Sequence, residues 1–147
     1  LEAIDYSIDG DTILVSAGTY YENINFNGKN IALIGEDRET TIIDGQEEGA
    51  CVVFINVNGS LENFSIRNGN GYNVNGDVLG GGIYGVADNF LLKNLRIYNN
   101  SAEVSGGGIY TEGGNIRLEN LIVHHNQSTY GAGIFALYYT EDQKSVV

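Results

Sequence analysis

Arg67, Tyr98 and His124 are the residues whose types could do chemistry together. They stand 31 and 26 residues apart. The same two intervals recur elsewhere in the chain, so the three fall in one column if the chain coils at that period. A guanidinium grips anions through a flat fork of donors, an imidazole moves protons or ligates metal, and a phenol ring offers a face to a sugar. The set suits binding of an anion or a sugar. Hydrolysis of a glycoside would need two carboxyl groups facing each other. Asp44, Asp77, Asp88, Glu103 and Glu112 are instead scattered singly in turns and loops, so no catalytic residue is identified. His124 and His125 are adjacent, and neighbours on a strand point to opposite faces, so they are not expected to share an ion and no metal site is assigned.

A second candidate set is aromatic. Gly80-Gly81-Gly82-Ile83-Tyr84 returns as Gly106-Gly107-Gly108-Ile109-Tyr110, and again as Gly131-Ala132-Gly133-Ile134-Phe135. The glycine runs lack the Lys and Ser/Thr of a phosphate loop and read as tight turns between close-packed coils. Ile83, Ile109 and Ile134 read as inward, which turns Tyr84, Tyr110 and Phe135 outward in one column, with Val53 a coil earlier. Rings at intervals of about 4.8 Å would make a flat apolar strip for sugar faces. Tyr84, Tyr110, Phe135, Arg67, Tyr98 and His124 are therefore the carbohydrate-binding candidates.

These columns depend on the repeat that creates them. Leu92-Lys93-Asn94-Leu95-Arg96-Ile97 matches Leu118 to Val123 and Leu61 to Ile66, and Lys29 to Leu33 is read as one more copy. Apolar residues alternate within each copy, which means strand, and repeats all running one way must pair in parallel. The expectation is an all-β solenoid, a parallel β-helix of about five to six coils. Asn30, Asn63, Asn94 and Asn120 should form one amide ladder, and Asn58, Asn89 and Asn115 another, fixing register. At Asn63 such a position would close the Asn-x-Ser sequon to glycosylation. Lys29, Glu62, Lys93 and Glu119 form a column of alternating sign, with Lys93 expected within ion-pair reach of Glu62 or Glu119. Leu1, Ile4 and Ile8 carry helical spacing, so residues 1–9 read as an N-terminal cap remnant stopped by Gly10. Coils are expected over 11–136. Residues 68–80 form an irregular loop, and 137–147 an irregular tail. The open last coil is expected to be covered by that tail or by a second chain, with a homo-oligomer favoured.

The chain has 147 residues, one domain's worth, with 21 Gly and no Pro, Met or Trp. Lacking Met, it reads as a processed product or a fragment of a longer protein. Its net charge of −12 argues against nucleic acid as a partner. No apolar run is long enough to predict a membrane span. Cys51 lies in the apolar run Cys51 to Ile55 and reads as a buried, inert thiol.

Asp9 to Val15, Gly18-Thr19-Tyr20, Ile34-Gly35-Glu36 and Thr41 to Gly45 resemble the opening of the right-handed parallel β-helix superfamily, which includes pectate lyases and pectin methylesterases. Asn99 to Ala102 and Gly106 to Tyr110 resemble the repeats of polymorphic outer-membrane and adhesin-type β-helices. The resemblance covers residues 1–136. It implies a right-handed solenoid of extracellular or cell-surface location. Its lyases hold Ca²⁺ on clustered carboxylates, and no such cluster is found here. The expected function is a non-catalytic module that binds glycan or a surface partner, or is structural. The alternative is the N-terminal part of a lyase or hydrolase acting on acidic polysaccharides, and only that alternative implies a cofactor, Ca²⁺.

Overall fold

The computed structural model describes residues 1–86, 89–138 and the backbone of 139 and 144–146. Alternating apolar residues and frequent turns give a chain that coils five times, three short strands to a coil. A five-residue helix, α1 (Glu2–Tyr6), precedes β1 (Thr12–Val15), β2 (Gly18–Tyr21) and β3 (Ile24–Asn25) of the first coil. The second holds β4 (Ala32–Gly35), β5 (Thr41–Asp44) and β6 (Val52–Ile55). The third holds β7 (Asn58–Glu62), β8 (Ser65–Arg67), an inserted pair β9 (Tyr72–Val74) and β10 (Asp77–Leu79), then β11 (Ile83–Val86). The fourth holds β12 (Asn89–Lys93), β13 (Arg96–Tyr98) and β14 (Ile109–Glu112); the fifth holds β15 (Asn115–Glu119), β16 (Ile122–His124) and β17 (Ile134–Tyr139). β18 (Lys144–Val146) follows.

Equivalent strands pair in parallel and build three long sheets, β1-β4-β7-β12-β15, β2-β5-β8-β13-β16 and β3-β6-β11-β14-β17. This solenoid-like architecture is compatible with a parallel β-helix. The core runs down its middle as stacked like residues. Ile83 faces Ile109 and Val52, and Leu61, Leu92, Phe64, Leu95, Ile66 and Ile97 are all fully buried. Phe54 and Phe90 stack at 4.0 Å. Gly85 makes room for them, since a Cβ there would stand 2.1 Å from the Phe54 ring. Gly81 is required by close approach in the turns: its Cβ would stand 2.2 Å from the Gly107 carbonyl oxygen of the next coil. Ile134 keeps the expected register with Ile109. It is nevertheless 36% exposed, since among the described residues β17 pairs at this position with β14 alone.

The amide ladders form, with one correction. Asn120 Nδ2 donates to Asn94 Oδ1 and Asn94 Nδ2 to Asn63 Oδ1, both at 2.9 Å. Asn63 Nδ2 then donates to the Gly35 carbonyl at 3.1 Å. Asn30 does not belong to this column. Leu33 pairs with Leu61, which puts Gly35 opposite the ladder and places Asn30 at the base of the other one. There Asn115 donates to Asn89, Asn89 to Asn58, and the Asn58 amide N–H to Asn30 Oδ1. Lys29 shifts with Asn30 and leaves the charge column; its Nζ bonds the Asp5 carbonyl at 2.7 Å, at the end of α1. Lys93 sits beside Glu62 and Glu119 in register, yet no ion pair joins them among the described residues. Glu62 accepts from Ser60 Oγ instead.

Helix α1 covers the first coil through buried Ile4. It ends at Ser7, whose Oγ donates to the Ile4 carbonyl at 2.8 Å, and not at Gly10, which takes its φ of +92° in the turn into β1. Residues 68–80 are more regular than expected. β9 and β10 form an antiparallel hairpin turned by Asn75-Gly76, both at positive φ. In the tail, β18 pairs antiparallel with the edge of β17; the remaining tail residues 140–143 and 147 lie outside the described residues. No helix among the described residues is long and apolar enough to cross a membrane.

Candidate functional site

The outer face of the sheet β2-β5-β8-β13-β16 carries the polar column. Tyr21 pairs with Asp44, Asp44 with Arg67, Arg67 with Tyr98, and Tyr98 with His124. The structure thus brings Arg67, Tyr98 and His124 together as the spacing predicts. It adds Asp44, which closes β5 and is not confined to a turn. Ile43, Ile66 and Ile97, one residue earlier, are buried, so strand alternation turns this column outward.

Asp44 is only 4% exposed. Its Oδ2 accepts from Arg67 Nε at 2.8 Å and from Asn68 Nδ2 at 3.0 Å, and its Oδ1 from the Gln46 N–H at 3.1 Å. Burial alone would raise its carboxyl, but the bonds from Asn68, Gln46 and Arg67 outweigh burial and hold it below the ordinary value. Hydrogen bonds to Tyr98 and Asp44 favour the charged form of Arg67 in turn. A carboxylate so held is a structural anchor for Arg67, not a poised base.

One coil on, the rings of Tyr98 and His124 stack at 5.3 Å, interplanar angle 7°. The Arg96 guanidinium lies 5.0 Å from the Tyr98 ring centre. Its Nε donates to His124 Nε2 at 3.4 Å and its Nη1 to Glu39 Oε2 at 3.1 Å. His124 Nδ1 and His125 Nδ1 approach to 2.7 Å. Since His124 Nε2 accepts, its proton is assigned to Nδ1, which donates to His125. The strand-alternation argument against such a meeting fails because His125 has φ +53° and has already left the strand. Among the described residues no group of three His, Cys, Asp or Glu could hold a metal ion.

The aromatic column is in register, Val53-Tyr84-Tyr110-Phe135, and its rings stack at 5.5 and 5.7 Å. It is not the exposed strip the alternation predicts. Tyr84 and Tyr110 are each 6% exposed. The β9-β10 hairpin folds over them, with Tyr72 stacked on Tyr84 at 4.7 Å. Val53, Ala50, Tyr84 and Tyr110 form a second apolar core against Tyr72, Val74, Leu79 and Phe135. Burial pushes the Tyr84 hydroxyl upward, with the Glu112 charge helping. Phe135 stays half-buried.

The scattered carboxylates do not converge. Asp77 lies in the hairpin, Glu112 accepts from Tyr110 at 3.0 Å, and Asp88 lies outside the described residues. Glu103 lines a cleft of about 470 Å³ with Asn70, Ser101, Gln127 and Thr129, one corner away from the polar face. The left-handed corner residues Asn68, Asn99 and His125 separate the two. The Asn100–Asn126 pair behind that corner was not anticipated. Asn100 is 2% exposed and bonds Asn126, Gly69 and Ile66. Its signal was present in the Asn-Asn and His-Asn steps that end β13 and β16. Comparison with protein-family models, curated proteins and solved structures finds no match.

Proposed function

We propose that the chain is a right-handed parallel β-helix module of the pectate-lyase-like type, secreted or displayed at a cell surface, that binds glycan without cleaving it. The handedness follows the preference of parallel strand crossovers. The observation that carries the binding reading is the outward face of β8, β13 and β16, where a Tyr–His ring stack lies beside two arginines. Stacked rings take the apolar face of a sugar and guanidinium groups take its acids or hydroxyls. The binding site accordingly leaves the Tyr84, Tyr110 and Phe135 column and keeps Arg67, Tyr98 and His124, with Arg96 added. Locking of Asp44 onto Arg67 supports binding over catalysis.

The test is titration of neutral and anionic plant and algal polysaccharides against the wild type, Tyr98→Ala/Arg96→Gln and Tyr84→Ala/Tyr110→Ala. The first variant should lose binding and the second should keep it while folded. Equal binding by all three proteins, or by none, would remove the proposal. Release of unsaturated uronides that stops on chelation would favour the lyase alternative instead. Among the described residues β15 and β16 pair on one side only, and Leu118 and Ile122 on them are exposed; the same reading gives these edges to a second copy of the chain. A monomer in light scattering would remove that partner.

A further inference from the structure

The polar face is bounded by the loop Glu36 to Thr40. Asp37 braces it: the Glu39 N–H donates to Asp37 Oδ1 at 2.8 Å, the Thr41 N–H to the Asp37 carbonyl at 2.8 Å, and the Asp37 N–H to Thr41 Oγ1 at 3.2 Å. Ser65 Oγ ties the loop to the third coil through the Arg38 carbonyl at 2.8 Å. From this braced backbone the Glu39 side chain reaches across two coils. Its Oε2 takes Arg96 Nη1 at 3.1 Å and its Oε1 takes Arg38 Nε at 3.3 Å.

Neither arginine is used up. Each gives Glu39 one bond where a guanidinium can offer a parallel pair. Arg38 Nη1 is buried with no hydrogen-bond partner among the described residues, a costly state for a charged donor. The Glu39 side chain is 54% exposed, so leaving the arginines returns its carboxylate to water and forfeits only a weak surface pairing.

We propose that the Arg38–Glu39–Arg96 bridge is a closed anion subsite, in which Glu39 holds the place of a carboxylate or sulfate group on a glycan and is displaced when that glycan binds. The subsite rests on the glycan-binding reading of the adjoining Tyr98–His124 face. An incoming anion bridges the two guanidinium groups, and Glu39 swings into solvent. Glu39 then sets specificity: a neutral sugar has nothing with which to displace it. It also sets affinity, because every anionic ligand competes with a tethered carboxylate.

The test uses glucuronate, glucose 6-sulfate and glucose as probes, followed by chemical-shift titration of the intact chain. The proteins are the wild type, Glu39→Gln, Arg96→Gln and the double variant. Glu39→Gln should bind the anionic probes about two- to fivefold tighter than the wild type, the range of an exposed ion pair, with glucose unchanged. Added salt should shrink the gain, and Arg96→Gln should cancel it. A gain for glucuronate alone assigns the subsite to uronates, and a gain for the sulfate alone to sulfated sugars. No gain for either anion, or an equal gain for glucose, overturns the subsite. If polysaccharides bind through Tyr98 while Glu39→Gln gains nothing, the subsite falls and the glycan face stands. If the gain appears and depends on Arg96 while no polysaccharide binds, the subsite stands and the glycan reading falls.

Discussion

Replacing Asn94 separates two contributions that the ladder combines. Asn94 has φ +53°, donates to Asn63 and accepts from Asn120, each at 2.9 Å. Asn94→Ala removes both bonds and leaves a donor and an acceptor unmatched in its neighbours. At about 0.5–1.5 kcal/mol each, two bonds cost about 1–3 kcal/mol. Alanine in the left-handed region adds about 1–2 kcal/mol, because its Cβ crowds the carbonyl oxygen. The total is about 2–5 kcal/mol. Asn94→Gly loses the same bonds but accepts the backbone, so it should cost about 1–3 kcal/mol. For a domain near this size 1 kcal/mol moves Tm by about 2–4 °C. The alanine variant should therefore melt below the glycine variant by about 2–8 °C. Urea unfolding of both variants, with slopes matching the wild type, checks the ranking. Equal midpoints for the two would refute the backbone term. Midpoints within error of the wild type for both would refute the ladder itself.

Asp44 gives a pH dependence. Its folded-state pKa lies below the ordinary 3.8, so the unfolded chain holds the proton more tightly. The stability it contributes is present above that ordinary value and is lost as pH falls through the folded-state value. Asp44→Asn should be less stable at neutral pH and should show a shallower acid loss; parallel acid slopes in denaturant titrations would contradict this. Burial pushes the Cys51 thiol up to about 12. Ellman's reagent at about pH 8 should leave it unmodified in the native chain and label it fully in denaturant; rapid native labelling would count against its burial.

The register of the last three coils was legible because two intervals repeat without error from Leu61 onward. Asn63, Asn94 and Asn120 are spaced as their hydrogen bonds require. It failed between the first coils because Gly35, whose added Cβ would stand 2.3 Å from the Asn63 carbonyl oxygen, stands where the later coils have Asn. Gly35 holds that ladder position, so residue type alone assigns the Lys29-Asn30 pair to it, one corner away from where the pair stands. Alternation correctly turned Tyr84 and Tyr110 away from the main core. It carries no information on what covers that face, which is decided by the hairpin over residues 72–79. The hairpin signal was the Asn75-Gly76 step between Val74 and Val78. The column of Arg67, Tyr98 and His124 was legible from spacing alone. Asp44 escaped because an Asp-Gly step reads first as a turn, and Glu39 because its partner stands 57 residues away, beyond any local pattern.

The ladders have a direction. Every side-chain amide in the Asn63 column donates toward the first coil, and those of Asn63 and Asn94 accept from the coil after. Each coil therefore leaves its successor the same set of acceptors that it received. A coil inserted or excised at one full interval would meet the correct partners on both sides. Asn120, brought down one step, would find Asn63 Oδ1 where it now finds Asn94 Oδ1. Strand pairing, the stacked core and the corner amides all repeat at that same interval, so stability grows by increments, one coil at a time. The arrangement has no intrinsic length. Duplication of a stretch of gene could lengthen such a molecule without redesign, and the polar face would lengthen with it.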